Sequence, residues 1–182
     1  MLQTEGISMN WKQFLRDEIE NTYTTTEKLL DKVDPNTLDW KPDSGCNWMT
    51  VGQLLKHISE ACGVGFRAFV SGDWGLPDGV KMEDLTPEEM LPPAEKLPRI
   101  ENVEMARKLL SEDKAVALQT LNEVGEDQWE NRKLAAPWAP GIELALGRHL
   151  FQMVQHLDRH KGQLFYYLKL QGKSVNTADL WG

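Results

Sequence analysis

Cysteine and concentrated basic charge are both scarce in this sequence, and each shortage narrows the range of possible functions. The two cysteines, Cys46 and Cys62, form no CxxC pair, so zinc sites built from such pairs are absent. The 182 residues include 20 basic and 28 acidic ones, for a formal net charge of −8, and no basic block stands out. Because nucleic-acid binding needs a basic face that neutralises phosphates, we expect no nucleic-acid partner.

Long apolar runs are also lacking. The longest are far too short to span a bilayer, so we expect no membrane partner. The N-terminus, MLQTEGISMNWKQF, has no basic stretch followed by an apolar run, and we expect no signal peptide there. Without a signal peptide, the unpaired cysteines predict reduced thiols in a cytoplasmic protein. The length itself predicts a single domain over residues 1–182.

The apolar–polar alternation that marks strands is missing too, and helical periodicity stands in its place. Apolar residues recur in steps of three and four over four long segments. We predict helices at about residues 10–33, 50–70, 103–124 and 142–171. Four long amphipathic helices without strands predict an all-α fold, a four-helix bundle with long crossover connections.

Several residues at the helix ends support this assignment. Asn10 is a suitable N-cap for the first helix, and Thr50 with Gln53 forms a capping box for the second. Gly63 and Gly65 weaken the second helix locally but need not end it.

Two long connections, residues 71–101 and 125–141, separate the helices. The first contains five prolines and a short helix start at residues 86–89. Connections of this length usually form a lid, a wall or an interface. Three tryptophans outside the predicted helices either line an apolar pocket or fill the core; they are Trp48, Trp74 and Trp138.

The histidines carry the clearest chemical signal. His156 and His160, in QHLDRHKGQL, are four residues apart and therefore lie on one face of a helix. This spacing lets two imidazoles converge on one metal ion, although such pairs also occur on ordinary surfaces. His57, on the second helix, is either a third ligand from a facing helix or a buried histidine bonded to a carbonyl or water. His149 lies about 10 Å along the axis from His156, so we expect a pocket or bundle-end residue rather than a ligand.

Two segments together resemble a known family. WMTVGQLLKHISE, residues 48–60, and QHLDRHKGQLFYYLKLQGK, residues 155–173, resemble the DinB/YfiT-like superfamily of four-helix-bundle metalloenzymes. That family carries one histidine early in the second helix, then HxxxH followed by a basic residue, Gly and Gln. Here these positions are His57, His156, His160, Lys161, Gly162 and Gln163. Many members have Arg where Lys161 stands and a second His where Arg159 stands.

The resemblance implies a divalent metal ion, zinc or nickel, on His57, His156 and His160. Three protein ligands leave coordination positions open for water or substrate, as in catalytic sites. The implied function is a metal-dependent enzyme acting on a small-molecule substrate, with transfer of a low-molecular-weight thiol placed ahead of hydrolysis. The alternative is a non-enzymatic metal- or ligand-binding stress protein that kept the fold. The long proline-rich connection and the frequency of dimers among similar proteins predict a homodimer.

Other residues near the histidine motif, and the two cysteines, are further candidates for a functional role. Glu60, three residues after His57, is the candidate catalytic base, while Asp158 and Arg159 are expected to point away from the site. Cys62 is expected in the core and Cys46 in a loop, rather than as nucleophiles. Gly162 marks either the close approach of another helix or substrate, or a tolerated surface position.

Overall fold

The fold, taken from a computed structural model that describes residues 9–182, is mostly helical. The start of the chain, where we expect no signal peptide, lies outside the described residues. The helices are α1 (Trp11–Leu30), α2 (Val51–Ile58), α3 (Gly63–Ser71), α4 (Pro87–Met90), α5 (Val103–Glu123), α6 (Gln128–Asn131), α7 (Leu146–Leu170) and α8 (Thr177–Trp181). The strands β1 (Lys133–Ala135) and β2 (Glu143–Ala145) lie between α6 and α7.

The predicted four-helix bundle is confirmed. Its four columns are α1, the α2–α3 pair, α5 and α7; α3 and α1 each pack against both α5 and α7, and α2 packs mainly against α7. Apolar residues from every column meet in one core, including Leu15, Ile19, Leu54, Phe66, Leu110, Leu121, Leu150 and Leu157. Within residues 9–182, no helix combines the length and apolar character that crossing a membrane requires.

The start of α2 also holds the first long connection in place. Thr50 and Gln53 form the predicted capping box: the Gln53 side-chain oxygen accepts from the Thr50 N–H at 2.9 Å. The amide nitrogen of the same side chain donates to the carbonyl oxygens of Ala94 and Leu97, both at 2.9 Å. One glutamine therefore ties residues 71–101 to the helix that carries His57.

The prediction of one continuous second helix is wrong. The helix stops at Ile58 and a new one begins at Gly63. Asp113, on α5, accepts hydrogen bonds from the backbone N–H groups of Cys62, Gly63 and Val64 at 3.2, 2.9 and 2.9 Å. The carboxylate thus supplies the N-terminal cap that Cys62 does not provide.

Gly63 makes this arrangement possible. A Cβ atom at Gly63 would lie 2.0 Å from the backbone oxygen of Asp113, so only glycine fits where α3 meets α5. The hydroxyl of Tyr23 also donates to Asp113, at 2.6 Å. The break between α2 and α3 is therefore built by three columns of the bundle together.

The expectation of a strand-free chain is also wrong. β1 and β2 pair antiparallel, with Lys133 opposite Ala145, and α7 begins only at Leu146 rather than at residue 142. Each strand is only three residues long, which is too short for an alternating pattern to be visible in the sequence. Trp138 lies in the turn of this hairpin.

Candidate metal centre

The three predicted histidines meet at one point between α2 and α7. His57 lies near the C-terminal end of α2, and its Nε2 atom is 3.0 Å from Nε2 of His156 and 3.1 Å from Nε2 of His160. One ligand atom from each ring lies within 4.8 Å of the others. The capping box that fixes α2 and the four-residue spacing on α7 bring the rings together.

These distances fit a metal ion. Nitrogens held 2.0–2.1 Å from one ion are separated by about 2.9 Å at right-angled coordination and about 3.3 Å at tetrahedral coordination. The observed 3.0 and 3.1 Å lie between these values. Three protein nitrogens leave the remaining coordination positions of an ion free for other ligands.

The outer nitrogen of His156 sets the tautomer of that ring. Its Nδ1 lies 3.2 Å from the carbonyl oxygen of Ala61. A carbonyl only accepts, so Nδ1 carries the hydrogen and Nε2 presents its lone pair to the centre. Ala61 lies in the break between α2 and α3, next to the N–H groups that Asp113 binds. In an unbroken helix the Ala61 carbonyl would accept a hydrogen bond from a backbone N–H four residues later. Because the helix is broken here, this carbonyl is free to accept from His156.

A chain of hydrogen bonds sets the tautomer of His160 in the same way. The Tyr167 hydroxyl donates to the carbonyl of Met49 at 2.9 Å, so its oxygen must accept from the Gln163 amide at 3.0 Å. The Gln163 side-chain oxygen is then left facing Nδ1 of His160, at 3.1 Å. His160 must donate from Nδ1, which leaves the Nε2 lone pair for the centre.

Burial favours the neutral form of all three rings. Burial, and after it the nearby charges of His160 and His156, together lower the pKa of His57 to about 3. Burial is also the main cause that lowers the pKa of His156 and of His160. The Nε2 atoms of His156 and His160 both present lone pairs, so among the three Nε2 atoms only that of His57 can carry a hydrogen. A cation at the same point satisfies all three.

A cavity of about 540 Å³ opens beside this centre, within the usual range for small-molecule sites. His57 and His156 form part of its wall, and the exposed side chains of Glu60 and Arg159 lie in the same lining. Trp74 and Trp138 contribute an aromatic wall from the two long connections. The sequence-based alternative of a pocket-lining role holds for these two tryptophans, whereas Trp48 packs against Tyr167 elsewhere.

Comparison with known proteins places this arrangement in a family. The sequence matches the model of the DinB superfamily over residues 18–164, a range that includes all three histidines. The chain belongs to the DinB superfamily. A crystal structure of a DinB-like protein, YjoA of Bacillus subtilis, is similar with a TM-score of 0.61 and 17% identity, covering 89% of this chain and 94% of that one. At this identity the likeness concerns the fold alone. No match was found among curated proteins.

Glu60 lies in the lining of this cavity. Its side chain lines the cavity together with His57 and His156, but it is exposed and forms an ion pair with Lys56 one turn earlier. The position fits a group that exchanges protons with a bound molecule, and equally a solvated ion pair. A catalytic role for Glu60 stays a prediction.

The neighbours of His156 and His160 divide into those that face the cavity and those that do not. Asp158 is exposed and pairs with Lys161 at 2.8 Å, as expected for a residue that points away. The same expectation is wrong for Arg159, which lines the cavity. The position of Arg159 was predictable from its spacing, because a residue three positions after His156 lies close to the same face of the helix. Nothing lies within 4 Å of a Cβ added at Gly162, so no helix approaches closely there.

The other histidine and the cysteines lie outside the centre. His149 is buried, its ring centroid lies 4.4 Å from that of Phe69 in a stacked arrangement, and its Nε2 contacts the Leu134 carbonyl at 2.7 Å. It therefore packs behind Phe69 and does not line the cavity. Cys62 is buried and Cys46 is exposed, as predicted. Burial and then the charge of Asp113 raise the pKa of the Cys62 thiol well above its ordinary value, so Cys62 stays a protonated core residue.

Sequence reasoning missed the residues that support the ligands. Gln163 was noted only as part of the family motif, although its spacing of three from His160 places it within reach. Tyr167, Ala61 and Asp113 gave no recognisable signal, because each acts through a contact with a distant part of the chain.

Proposed function

We propose that this DinB superfamily member is a metal-dependent enzyme whose divalent ion, zinc or nickel, is held by His57, His156 and His160. The observation that carries the proposal is the convergence of three neutral imidazoles, two with their outer nitrogens bonded to oxygen acceptors, beside a cavity whose wall includes His57 and His156. Imidazole nitrogen suits both zinc and nickel. Three protein ligands, rather than four, favour a catalytic over a closed structural site.

The positions of the residues around the centre suggest a separate role for each. A bound divalent ion would supply a positive charge that lowers the pKa of a thiol or water reaching the cavity. Ala61 and Gln163 orient the two α7 histidines, and their acceptor oxygens make these rings more basic ligands. Glu60, on the cavity lining, is the candidate to accept the proton that a thiol or water releases.

For the reaction itself, we propose transfer of a low-molecular-weight thiol to a small electrophilic substrate, with metal-dependent hydrolysis as the second choice. The resemblance to thiol-using DinB/YfiT-like proteins supports this order. The cavity is large enough for two small molecules to meet near the histidines. Exposed side chains in its lining, Glu60 and Arg159, indicate access from solvent.

The alternative is a metal- or ligand-binding protein without catalysis. The largely aromatic and aliphatic wall opposite the histidines is the feature that favours it, because such a wall binds ligands without reacting. The two proposals differ in one respect. An enzyme turns over a thiol and an electrophile in a manner that depends on the metal, whereas a binding protein retains metal and ligand unchanged.

The deciding experiment starts with metal analysis of protein purified without a histidine tag. We expect about one zinc or nickel per chain, and metal-dependent loss of free thiol when small thiols are mixed with electrophiles. His160→Ala should abolish metal retention and activity together while the bundle stays folded, because the core does not depend on this half-buried ring. Arg148→Gln, at an exposed position on the same helix, is the control. Full activity of His160→Ala in buffer with a chelator would disprove the metalloenzyme proposal.

We also propose a cytoplasmic homodimer. Tyr166 and Leu170, four residues apart on α7, expose 63% and 66% of their surface and together offer an apolar face that a second copy would cover. A mass of one 20.8 kDa chain in solution at micromolar concentration would contradict the dimer.

A further inference from the structure

The aromatic wall of the cavity is built from two separate connections and is supported from behind. The ring centroids of Trp74 and Trp138 are 5.7 Å apart, in an edge-to-face arrangement. The centroid of Phe69 lies 5.0 Å from that of Trp74 and 6.0 Å from that of Trp138. Phe69 is buried and stacks on His149, whose Nε2 is bonded to the hairpin carbonyl of Leu134. The wall is therefore fixed in place before any ligand arrives.

Part of this wall is apolar surface left open to solvent. Trp138 is 42% exposed and Leu91 is 64% exposed, and both line the cavity with Met90. Large apolar side chains that gather around one concave surface favour binding of an apolar body. The size of the cavity suits a ring or a short branched chain.

A positive charge lies in the same lining. Arg159 is exposed, and the acidic side chains nearby are already paired, Glu60 with Lys56 and Asp158 with Lys161. Among residues 9–182, Arg159 is thus left without an acidic partner. Arg159 lines the cavity together with His57 and His156, so its charge borders the space beside the centre.

We propose that the cavity binds an organic anion with an apolar, ring-sized body. The carboxylate of the ligand pairs with the Arg159 guanidinium, whose planar fork matches a carboxylate in a bidentate manner. The apolar body lies against Trp138, Trp74 and Leu91. If the protein is the proposed enzyme, this organic anion is its substrate class, and to that extent the proposal rests on the proposed function. Binding itself does not depend on that function, because Arg159 and the aromatic wall bind the anion without the metal.

The test compares two probes of nearly equal shape, the anionic 4-phenylbutyrate and the neutral 4-phenylbutanamide, by calorimetric titration. Both are titrated into zinc-loaded protein and into protein treated with a chelator. Because Arg159 is exposed, we expect the acid to bind about fivefold more tightly than the amide, the upper end for an exposed ion pair. Arg159→Gln should remove the preference in both preparations, while Arg148→Gln, an exposed arginine elsewhere on α7, should keep it.

A second pair of variants tests the apolar half of the site. Trp138→Ala should weaken both probes by a similar factor of about five and leave their ratio unchanged, because the ring contacts the body and not the charge. Trp181→Ala, at an exposed tryptophan of α8, should change neither affinity.

The outcomes separate this proposal from the proposed function. An acid-to-amide preference below twofold in the wild type, or one that survives in Arg159→Gln, overturns the anion site. A preference that appears only with zinc and survives in Arg159→Gln assigns the carboxylate to the metal and also overturns it. If the protein binds no metal at all, the proposed function fails, yet a preference lost in Arg159→Gln still supports the anion site.

Discussion

Tyr167 determines which nitrogen of His160 is free to bind a metal. The two side chains do not touch; Gln163 lies between them and bonds to both. Because the Tyr167 hydroxyl gives its only hydrogen to the Met49 carbonyl, Gln163 must turn its oxygen toward His160. The chain segment just before α2 therefore controls a ligand on α7, on the opposite side of the centre.

Tyr167→Phe is the direct test of this relationship. Without the hydroxyl, Gln163 can turn its amide nitrogen toward His160, and the ring loses the acceptor that fixes its tautomer. Losing such a supporting bond typically weakens metal affinity 10- to 100-fold, and we expect about tenfold here because the change is two bonds away. Competition with a chromophoric chelator measures the affinity.

The neighbouring residue provides the control for this variant. Tyr166→Phe also removes one hydroxyl from α7, but from an exposed ring outside the bonded chain, and it should leave the metal affinity unchanged. Equal affinities of the wild type and Tyr167→Phe would mean that Gln163 keeps its orientation without the tyrosine.

Asp113 plays a comparable role for His156, and Asp113→Asn tests it. An amide offers one acceptor oxygen where the carboxylate offers two, so either the N–H groups of Cys62 and Gly63 or the N–H group of Val64 lose their acceptor and face an NH2 group. Hydrogen bonds to a buried charged group contribute about 1.5–3 kcal/mol, and we expect a loss of that order in the free energy of unfolding. Urea titration measures the loss.

The same substitution should also weaken metal binding, because Ala61 shifts with the start of α3 and carries its carbonyl away from His156. Glu112→Gln, the exposed acidic neighbour on α5, should change neither quantity. If Asp113→Asn lowers stability but leaves metal affinity intact, the carboxylate supports only the fold.

The parts of the structure that local patterns encode were predictable. Helical periodicity located the long helices, Thr50 with Gln53 located the start of α2, and the spacing of His156 and His160 indicated half of the centre. The break at residues 59–62 was not predictable from glycine content, because it depends on Asp113, about 50 residues further along the chain.

Residues that act on each other from different elements escaped prediction for the same reason. Tyr167 looks like an ordinary core aromatic of α7 until its hydroxyl is seen at Met49, 118 residues away. The hairpin that presents Trp138 has strands of three residues, too short for a pattern.

The buried histidines make the stability of the metal-free protein depend on pH. The pKa of His57 is lowered to about 3 in the folded state, against about 6.5 in the unfolded chain. Between these values only the unfolded state takes up the proton, so the free energy of unfolding falls as the pH falls below about 6.5. The contribution is at most about 1.4 kcal/mol per pH unit.

Urea titrations of chelator-treated protein at pH 7 and pH 5 check this dependence. Relative to His57→Gln, the wild type should lose up to about 2 kcal/mol more between the two pH values. Parallel losses in both proteins would mean that His57 is protonated as easily in the folded state as in the unfolded one.

Glu60→Gln separates catalysis from metal binding at the cavity. Glu60 is not a ligand and its ion pair with Lys56 is exposed, so the variant should keep its metal and lose less than about 1 kcal/mol of stability. If Glu60 accepts the proton of a thiol or water, turnover should fall by about 100-fold, because an amide cannot act as a base. Glu112→Gln breaks an equivalent exposed pair, with Lys108, far from the cavity lining and should keep full activity. Unchanged turnover in Glu60→Gln would assign Glu60 to the solvated surface and leave proton transfer to the solvent or the substrate.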